Sequence, residues 1–300
     1  MIKFIHTGDL HLGLQFKNLS LRSEKTIVRR RELWETFERI VNFSITTNKD
    51  FLFIAGDLFE EKYFTLGDIK RVRDILATSK TNILISAGNH DYINGKSLYK
   101  KVQWSDNITI FDTDGIECKS FMELNTNIYG FSWDRNEFRE NIIFNDFPKL
   151  DKKMNNILLI HGDVSNKSNY LPLSMEALRN LGMDYIALGH IHKPNIYNKN
   201  IAYCGCPEPL DFGEIGNRGI IEGTIDQGVT NLQFIPFSKR CFHEVNMVIN
   251  ENLGYLDIIN KFDNIGIGNI SEDFFRIKLT GYIQKDIDLN SIIKDEEEKF

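Results

Sequence analysis

The sequence predicts an α/β layered fold. Three observations carry it. Short apolar runs recur and end in polar or glycine-containing turns. The runs are apolar on successive residues, as in strands buried on both faces. Helices with one apolar face lie between the early runs. The runs are Ile2–Ile5, Phe51–Ala55, Ile83–Ile85, Ile108–Phe111, Ile128–Phe131, Ile157–Ile160, Tyr185–Leu188 and Ile201–Tyr203. Between the first two, Leu33, Trp34, Phe37, Ile40, Val41 and Ile45 stand at helical spacing. A second helix runs from Asp68 to about Ala77. A third follows Ser174 as N-cap, with Met175, Leu178 and Leu181 on one face and Gly182 as its stop. From about residue 196 strands follow one another through turns such as Gly216-Asn217-Arg218-Gly219 and Asp226-Gln227-Gly228, which read as hairpins.

The charge balance changes around Ser238-Lys239-Arg240, which places a boundary there: one domain over 1–238 and a small one over 239–300. The small domain reads as strand–helix–strand, through Phe242–Asn250, Tyr255–Phe262 and Phe274–Tyr282. The closing charge run Lys294–Phe300 has no visible cap or apolar anchor and reads as a solvated helix end or frayed tail.

Composition excludes several classes. With 300 residues, 42% apolar and 26% charged, the chain can bury a sizeable core and is not disordered, collagen-like or coiled-coil. No apolar run approaches the roughly 18 residues of a membrane span. The opening Met1–Ile5 meets His6-Thr7 too soon for a signal peptide. Cys118, Cys204, Cys206 and Cys241 show no C-x-x-C spacing, so free thiols and a cytoplasmic location are expected. The net charge of −6 resides in residues 241–300, which hold 6 Lys/Arg and 12 Asp/Glu; residues 1–240 keep 30 of each sign (36 less 6, 42 less 12). Global charge therefore gives no argument for nucleic acid. Any such case rests on local patches and site chemistry.

The histidines carry the chemistry. Five of the seven follow the expected strands in metal-binding company: Gly8-Asp9-Leu10-His11, Gly88-Asn89-His90-Asp91, His161-Gly162-Asp163 and Gly189-His190-Ile191-His192, with Gly56-Asp57 after the second strand. Carboxyl ends of strands in open α/β sheets converge on one crevice. Alternate residues of an extended chain point the same way, so Asp9 with His11, and His190 with His192, can face one site. A core has no use for that many imidazoles and carboxylates at one edge, and leaving them unpaired there is costly. The candidate ligands are the carboxylates Asp9 and Asp57, the imidazoles of His11, His161, His190 and His192, and the Asn89 amide. Two divalent ions leave this set at +2, which a hydroxide and a phosphodiester bring to zero. That suits a two-metal centre cleaving a phosphodiester. Nitrogen and oxygen ligands without thiolate fit Mn, Fe or Zn.

Taken together, Asp9-x-His11, Gly56-Asp57, Gly88-Asn89-His90-Asp91, His161-Gly162 and Gly189-His190-x-His192 resemble the motif set of the calcineurin-like metallophosphoesterases, in order, over residues 9–192. Asp-Leu-His-Leu-Gly at 9–13, Gly-Asp-Leu-Phe at 56–59, Gly-Phe-Ser at 130–132, Cys206-Pro207-Glu208 and the passage from Pro236-Phe237 through Arg240-x-Phe242 are similar to the SbcD/YhaO-type DNA repair exonucleases.

The resemblance implies a four-layer α/β/β/α metallophosphoesterase sandwich with a small C-terminal α+β cap domain. It assigns Asp9, His11, Asp57 and His192 to one metal, and bridging Asp57, Asn89, His161 and His190 to the other, with Mn²⁺ as the expected ion. His90 is then not a ligand. It contacts the phosphate and protonates the leaving oxygen, a role suited to imidazole. Asp91 either orients His90 and holds it protonated, or stabilises the turn. The implied partners are DNA, an SMC-like ATPase of the SbcC type and a second copy in a homodimer, with a nucleoid-associated location and no membrane.

Lys17, Arg22, Lys25, Arg29, Arg30 and Arg31 face a single acid, Glu24, between residues 17 and 31. The patch reads as DNA phosphate tracking or as a solvated helix start. His6 reads as a strand residue in the core or near the site, and His243 as structural. Three functions stand: a metal-dependent DNA nuclease, preferred; a phosphoesterase of a small phosphodiester or phosphoprotein; and an inactive scaffold, disfavoured because every ligand and His90 are present.

Overall fold

Two six-stranded mixed sheets, stacked face to face, position everything that follows. The structure, a computed structural model, describes residues 1–17, 23–139, 147–165 and 168–297. The first sheet has the order β12-β11-β1-β2-β3-β4, with β1 Ile2–Thr7, β2 Phe51–Ala55, β3 Asn82–Ser86, β4 Ile108–Ile110, β11 Gly219–Asp226 and β12 Val229–Pro236. The second has the order β5-β6-β7-β8-β10-β9, with β5 Glu117–Phe121, β6 Thr126–Gly130, β7 Asn155–His161, β8 Tyr185–Gly189, β9 Asn195–Tyr197 and β10 Ile201–Tyr203. Strands β1 to β4 run parallel, as do β6, β7, β8 and β10.

The successive-apolar pattern has its cause here. One set of alternate residues packs between the sheets, with Phe4, Phe53, Leu84, Ile128, Leu159 and Ala187 among them. On the second sheet the other set, including Leu158, Ile160, Ile186 and Leu188, packs outward with Leu178 of α3, Met175–Asn180. Helices α1, Ser23–Thr46, and α2, Leu66–Ala77, touch each other, and α1 touches β2. Thr65 caps α2 in a reciprocal capping box with Asp68. The layers are thus α/β/β/α.

Two strands escaped the sequence. β5 is an edge strand exposed along nearly its whole length, Glu-Cys-Lys-Ser-Phe, so it has no apolar run to betray it. β9 is a three-residue edge strand, also mostly exposed. The turn Asp226-Gln227-Gly228 joins β11 to β12 as a hairpin, with Gln227 at φ 49°. Gly216–Gly219 joins no two strands and leads into β11.

The chain divides into two compact units, Met1–Glu208 with Arg218–Phe237, and Pro209–Asn217 with Ser238–Phe300. Sequence alone leaves 209–217 in the first domain. The contacts group it with the second unit, where Phe212 packs against Phe242 at 4.8 Å and lies under the Arg276 guanidinium. That unit pairs β13, Phe242–Ile249, in parallel with β14, Phe274–Gly281, through α4, Tyr255–Asp263. Its last helix, α5 Leu289–Glu296, corrects the reading of the closing charge run. Asp288 caps it, and Ile292 anchors it fully buried, just upstream of the charges. Residues 298–300 lie outside the described residues. No described helix is long and apolar enough to cross a membrane.

Candidate metal centre

The site lies where β1, β2, β3, β7 and β8 end. After β1 and β2 the chain turns sharply, with Asp9 at φ 50°, His11 at φ 46° and Asp57 at φ 50°. These left-handed conformations cost energy in residues other than glycine and cluster at functional sites. Backbone bonds hold the two turns together: Asp9 N–H to Gly56 O at 3.0 Å and His11 N–H to Asp57 O at 2.9 Å. Gly189 must be glycine, because a Cβ there would collide with the Ala55 carbonyl at the end of β2.

Among the described residues four groups of His, Cys, Asp and Glu could hold a metal, and two of them match the expected ligands. Donor atoms of Asp9, His11 and His192 all lie within 4.8 Å of one another, and so do those of Asp57, His161 and His190. Asp57 lies between them, with Oδ2 at 3.8 Å from His11 Nε2 and 3.4 Å from His161 Nε2. Asn89 Oδ1 stands 3.0 Å from His161 Nε2. All seven residues expected as ligands are therefore gathered at one place.

A sequence profile of the calcineurin-like phosphoesterases matches residues 2–194. The chain belongs to that family. Members bind divalent metals and hydrolyse phosphoesters. Among curated relatives, the phosphoesterase is 28% identical to the uncharacterized metallophosphoesterase YhaO of Bacillus subtilis over 78% of its own length and 60% of the relative's. It is 26% identical to the SbcD component of the SbcCD nuclease of Staphylococcus epidermidis, covering 93% of the chain and 79% of that protein. It is 25% identical to the DNA double-strand break repair protein Mre11 of Archaeoglobus fulgidus, over 89% and 67%. The phosphoesterase thus spans less than two thirds of YhaO.

Whether the residues suit metal ions follows from where protons can sit. His161 Nδ1 is 2.9 Å from the Ala55 carbonyl, which only accepts, so Nδ1 carries the proton. Its Nε2 lies against Asn89 Oδ1 and Asp57 Oδ2, and the raised pKa keeps a proton on it that those oxygens accept. Likewise His11 Nδ1 donates to Glu60 Oε1 at 2.7 Å, and its Nε2 faces His192 Nε2 at 3.2 Å. A cation placed among these converging nitrogens and oxygens would take the place of the protons they share. This is the arrangement of metal ligands whose outer nitrogens are oriented by carboxylate or carbonyl.

The electrostatics express the same conflict. Burial pushes Asp9 up, with the Asp57 charge adding to it. At Asp57 burial also pushes upward, but the charge and hydrogen bond of His161 outweigh it and hold the group well below the usual range. Burial lowers His161, yet Asp57 and Asp9 prevail and raise it to about 9. His190 falls to about 3, through burial and then the charge of His161. Neighbours of one kind are driven apart because one small volume cannot hold all of them in their ordinary states.

Glu60 was missed by the sequence reading. Its carboxylate takes His11 Nδ1 on Oε1 and His90 Nδ1 on Oε2, at 3.0 Å. Burial raises it, but bonds to the two imidazoles bring it to about 2. The available signal was its position, three residues past Asp57 in the same strand-end loop. Glu60 also corrects the expectation that Asp91 orients His90, because the hydrogen bonds of Asp91 go elsewhere. Asp91 is fully buried and accepts from the N–H groups of Asp57, Leu58 and Gly88 and from the Tyr99 hydroxyl at 2.7 Å. It ties the β2 and β3 loops together, the turn-stabilising alternative. The His90 side chain is 42% exposed and reaches solvent. Its pKa is opposed by burial but raised overall by the Glu60 hydrogen bond and the charges of Asp57, Glu60 and Asp91.

The basic patch loses one member to the interior. Arg29 is fully buried, donating to Glu32 and to Glu208, and does not face solvent. Arg31 is exposed but paired with Glu35 at 3.3 Å, Arg30 is exposed, and Lys25 is half-buried. Arg22 lies outside the described residues. His6 is buried with Nδ1 2.7 Å from the Tyr185 hydroxyl, and His243 pairs with Asp273 at 3.0 Å.

Proposed function

We propose that this phosphoesterase is a metal-dependent DNA nuclease, holding two Mn²⁺ ions and working with DNA and an SMC-like ATPase of the SbcC type, as a homodimer at the nucleoid. The observation that carries the reading is the pair of ligand groups sharing Asp57, with His90 at the solvent edge. Asp9, His11, Asp57 and His192 would hold one ion, and Asp57, Asn89, His161 and His190 the other. Ions held there would supply positive charge at phosphorus and acidify water for attack at neutral pH.

The remaining steps belong to side chains. Glu60 accepts a hydrogen bond from His11 Nδ1–H, which leaves His11 Nε2 to face the ion. It accepts one from His90 Nδ1–H as well, so His90 Nε2 is the nitrogen aimed away from the carboxylate. A raised His90 pKa favours the proton on Nε2 that the leaving oxygen needs. Asp91 keeps the two loops in register and adds its charge to those that raise His90. Homology to the SbcD component of the SbcCD nuclease and to Mre11 supports DNA as substrate. Arg30, Arg31 and Lys25 are the surviving candidates for phosphate contact.

A small phosphodiester is the second reading, favoured by the burial of Arg29, which weakens the basic surface. Mn²⁺-dependent cleavage of end-labelled single- and double-stranded DNA, beside a small diester, separates the two with wild type and His90→Ala. DNA cut by wild type and spared by the variant is expected. Turnover of the diester alone, with DNA left whole, overturns the nuclease.

A further inference from the structure

We propose that Arg218 and Glu208 are positioning residues for the ligand His192, an inference that rests on the metal-centre reading above. Neither residue touches the ligand atoms, and both act on the main chain of His192 from behind.

The His192 carbonyl is held from two sides. Arg218 Nη1 donates to it at 3.1 Å, and the Cys206 N–H donates to it at 3.1 Å. Arg218 is only 4% exposed, so this bond is made away from bulk water, where a guanidinium is expensive to place without purpose. Between Cys204 and Cys206 the chain passes so close that a Cβ on Gly205, at φ +73°, would lie 2.6 Å from the same carbonyl. The segment 204–206 is thus wedged beneath His192.

That segment has its own anchor two residues on. Glu208 is 1% exposed. Its Oε2 accepts from both terminal nitrogens of Arg29 at 3.1 Å, and its Oε1 accepts from the Thr36 hydroxyl at 2.7 Å. Arg29 and Thr36 stand on the buried face of α1, so a helix twenty-four residues long fixes the loop. The path is continuous: α1 to Glu208, through Cys206 to the His192 carbonyl, with Arg218 closing from the other side. A fixed carbonyl fixes the direction of the His192 side chain, whose Nε2 must meet Asp9 and His11 at one point. The Arg29 that looked like a DNA contact is part of this brace.

Three members of the second ligand group, Asp57, Asn89 and His161, are set by β2, β3 and β7, and only His190 shares the segment of His192. Loss of the brace therefore weakens the ion at His192 more than the other. The test is a Mn²⁺ titration of the full chain, read by electron paramagnetic resonance of the free ion, on wild type, Arg218→Met, Arg218→Lys and Glu208→Gln. Melting in EDTA is measured alongside to check folding. Substituting such outer partners typically weakens metal affinity about 10- to 100-fold. Arg218→Met is expected to show that loss at one of two sites, with the other within about twofold, and Arg218→Lys to recover part of it by keeping a donor. A role in folding alone predicts a lower melting temperature with both sites unchanged.

Two unchanged Mn²⁺ sites in folded Arg218→Met and Glu208→Gln overturn the proposal. Should Arg218→Met fail to fold, the isosteric Glu208→Gln decides by the same titration. A wild type that binds fewer than two ions overturns the metal-centre reading itself, which is a different failure and visible as such.

Discussion

The two ends of the stacked sheets in the first unit are both crowded with polar side chains and treat them in opposite ways. At the amino ends of β1, β6, β7 and β8 lies a cavity of about 1020 Å³, lined by Asn125, Asn155, Asn156, Asp184 and Asp226 among others. There donors meet acceptors. Asn125 donates to Lys153 O, Asn155 to Asn125 O, and Asn156 to the carbonyls of Asp151 and Met154, while Asp184 accepts the Asn156 N–H. At the carboxyl ends, imidazoles, carboxylates and an amide oxygen converge around Asp57, His161, His11 and His192. The convergence of ionisable groups, and not the hollow, marks the site.

The largest effect expected is at the residue both ligand groups share. Asp57→Asn should lower phosphodiester cleavage beyond about 10³-fold, since removing one electrostatic partner of a transition state already costs about 10²–10³. A steady-state assay at saturating Mn²⁺ checks it, and near-normal turnover would break the contrast between the two ends. Next, His90→Ala should lower kcat by about 10²–10⁴, the range for a lost general acid, while both Mn²⁺ ions still bind. Parallel kinetics and metal titration separate the two quantities. At the opposite end, Asn156→Ala should cost about 1–3 kcal/mol of stability by removing its two part-buried amide hydrogen bonds, with kcat unchanged. Urea unfolding and the same assay read both.

The smallest effect concerns pH. The Glu60 carboxyl has a folded pKa of about 2 against 4.5 unfolded, so its stabilisation is complete above about pH 4.5 and fades as pH falls toward 2. In EDTA, the gap between the urea midpoints of wild type and Glu60→Gln should be full at pH 7 and begin to narrow below about pH 4.5. A gap that widens with acid would reverse the sign of the account.

Much of this was legible from residue order alone. Strands buried on both faces write continuous apolar runs, so β2 and β7 were visible, and ligand pairs at their ends followed. An exposed edge strand such as β5 writes no such pattern and is defined only by its neighbour β6. Arg29 was misread for a reason that sequence does contain. It lies four residues before Leu33 and seven before Thr36, on the apolar face of α1, and its counter-charge Glu208 is 179 residues away. Charge density suggested a surface; helical phase placed the residue inside. Asp91 and Glu60 show the same limit at closer range. Both stand beside the ligands in sequence, and only the fold decides which carboxylate meets His90.

Anomalous diffraction from Mn²⁺-soaked crystals of the phosphoesterase tests the central claim most directly. The account predicts two peaks, one bounded by Asp9, His11, Asp57 and His192 and the other by Asp57, Asn89, His161 and His190. A single peak there, or manganese in the cavity at the amino ends instead, would contradict it.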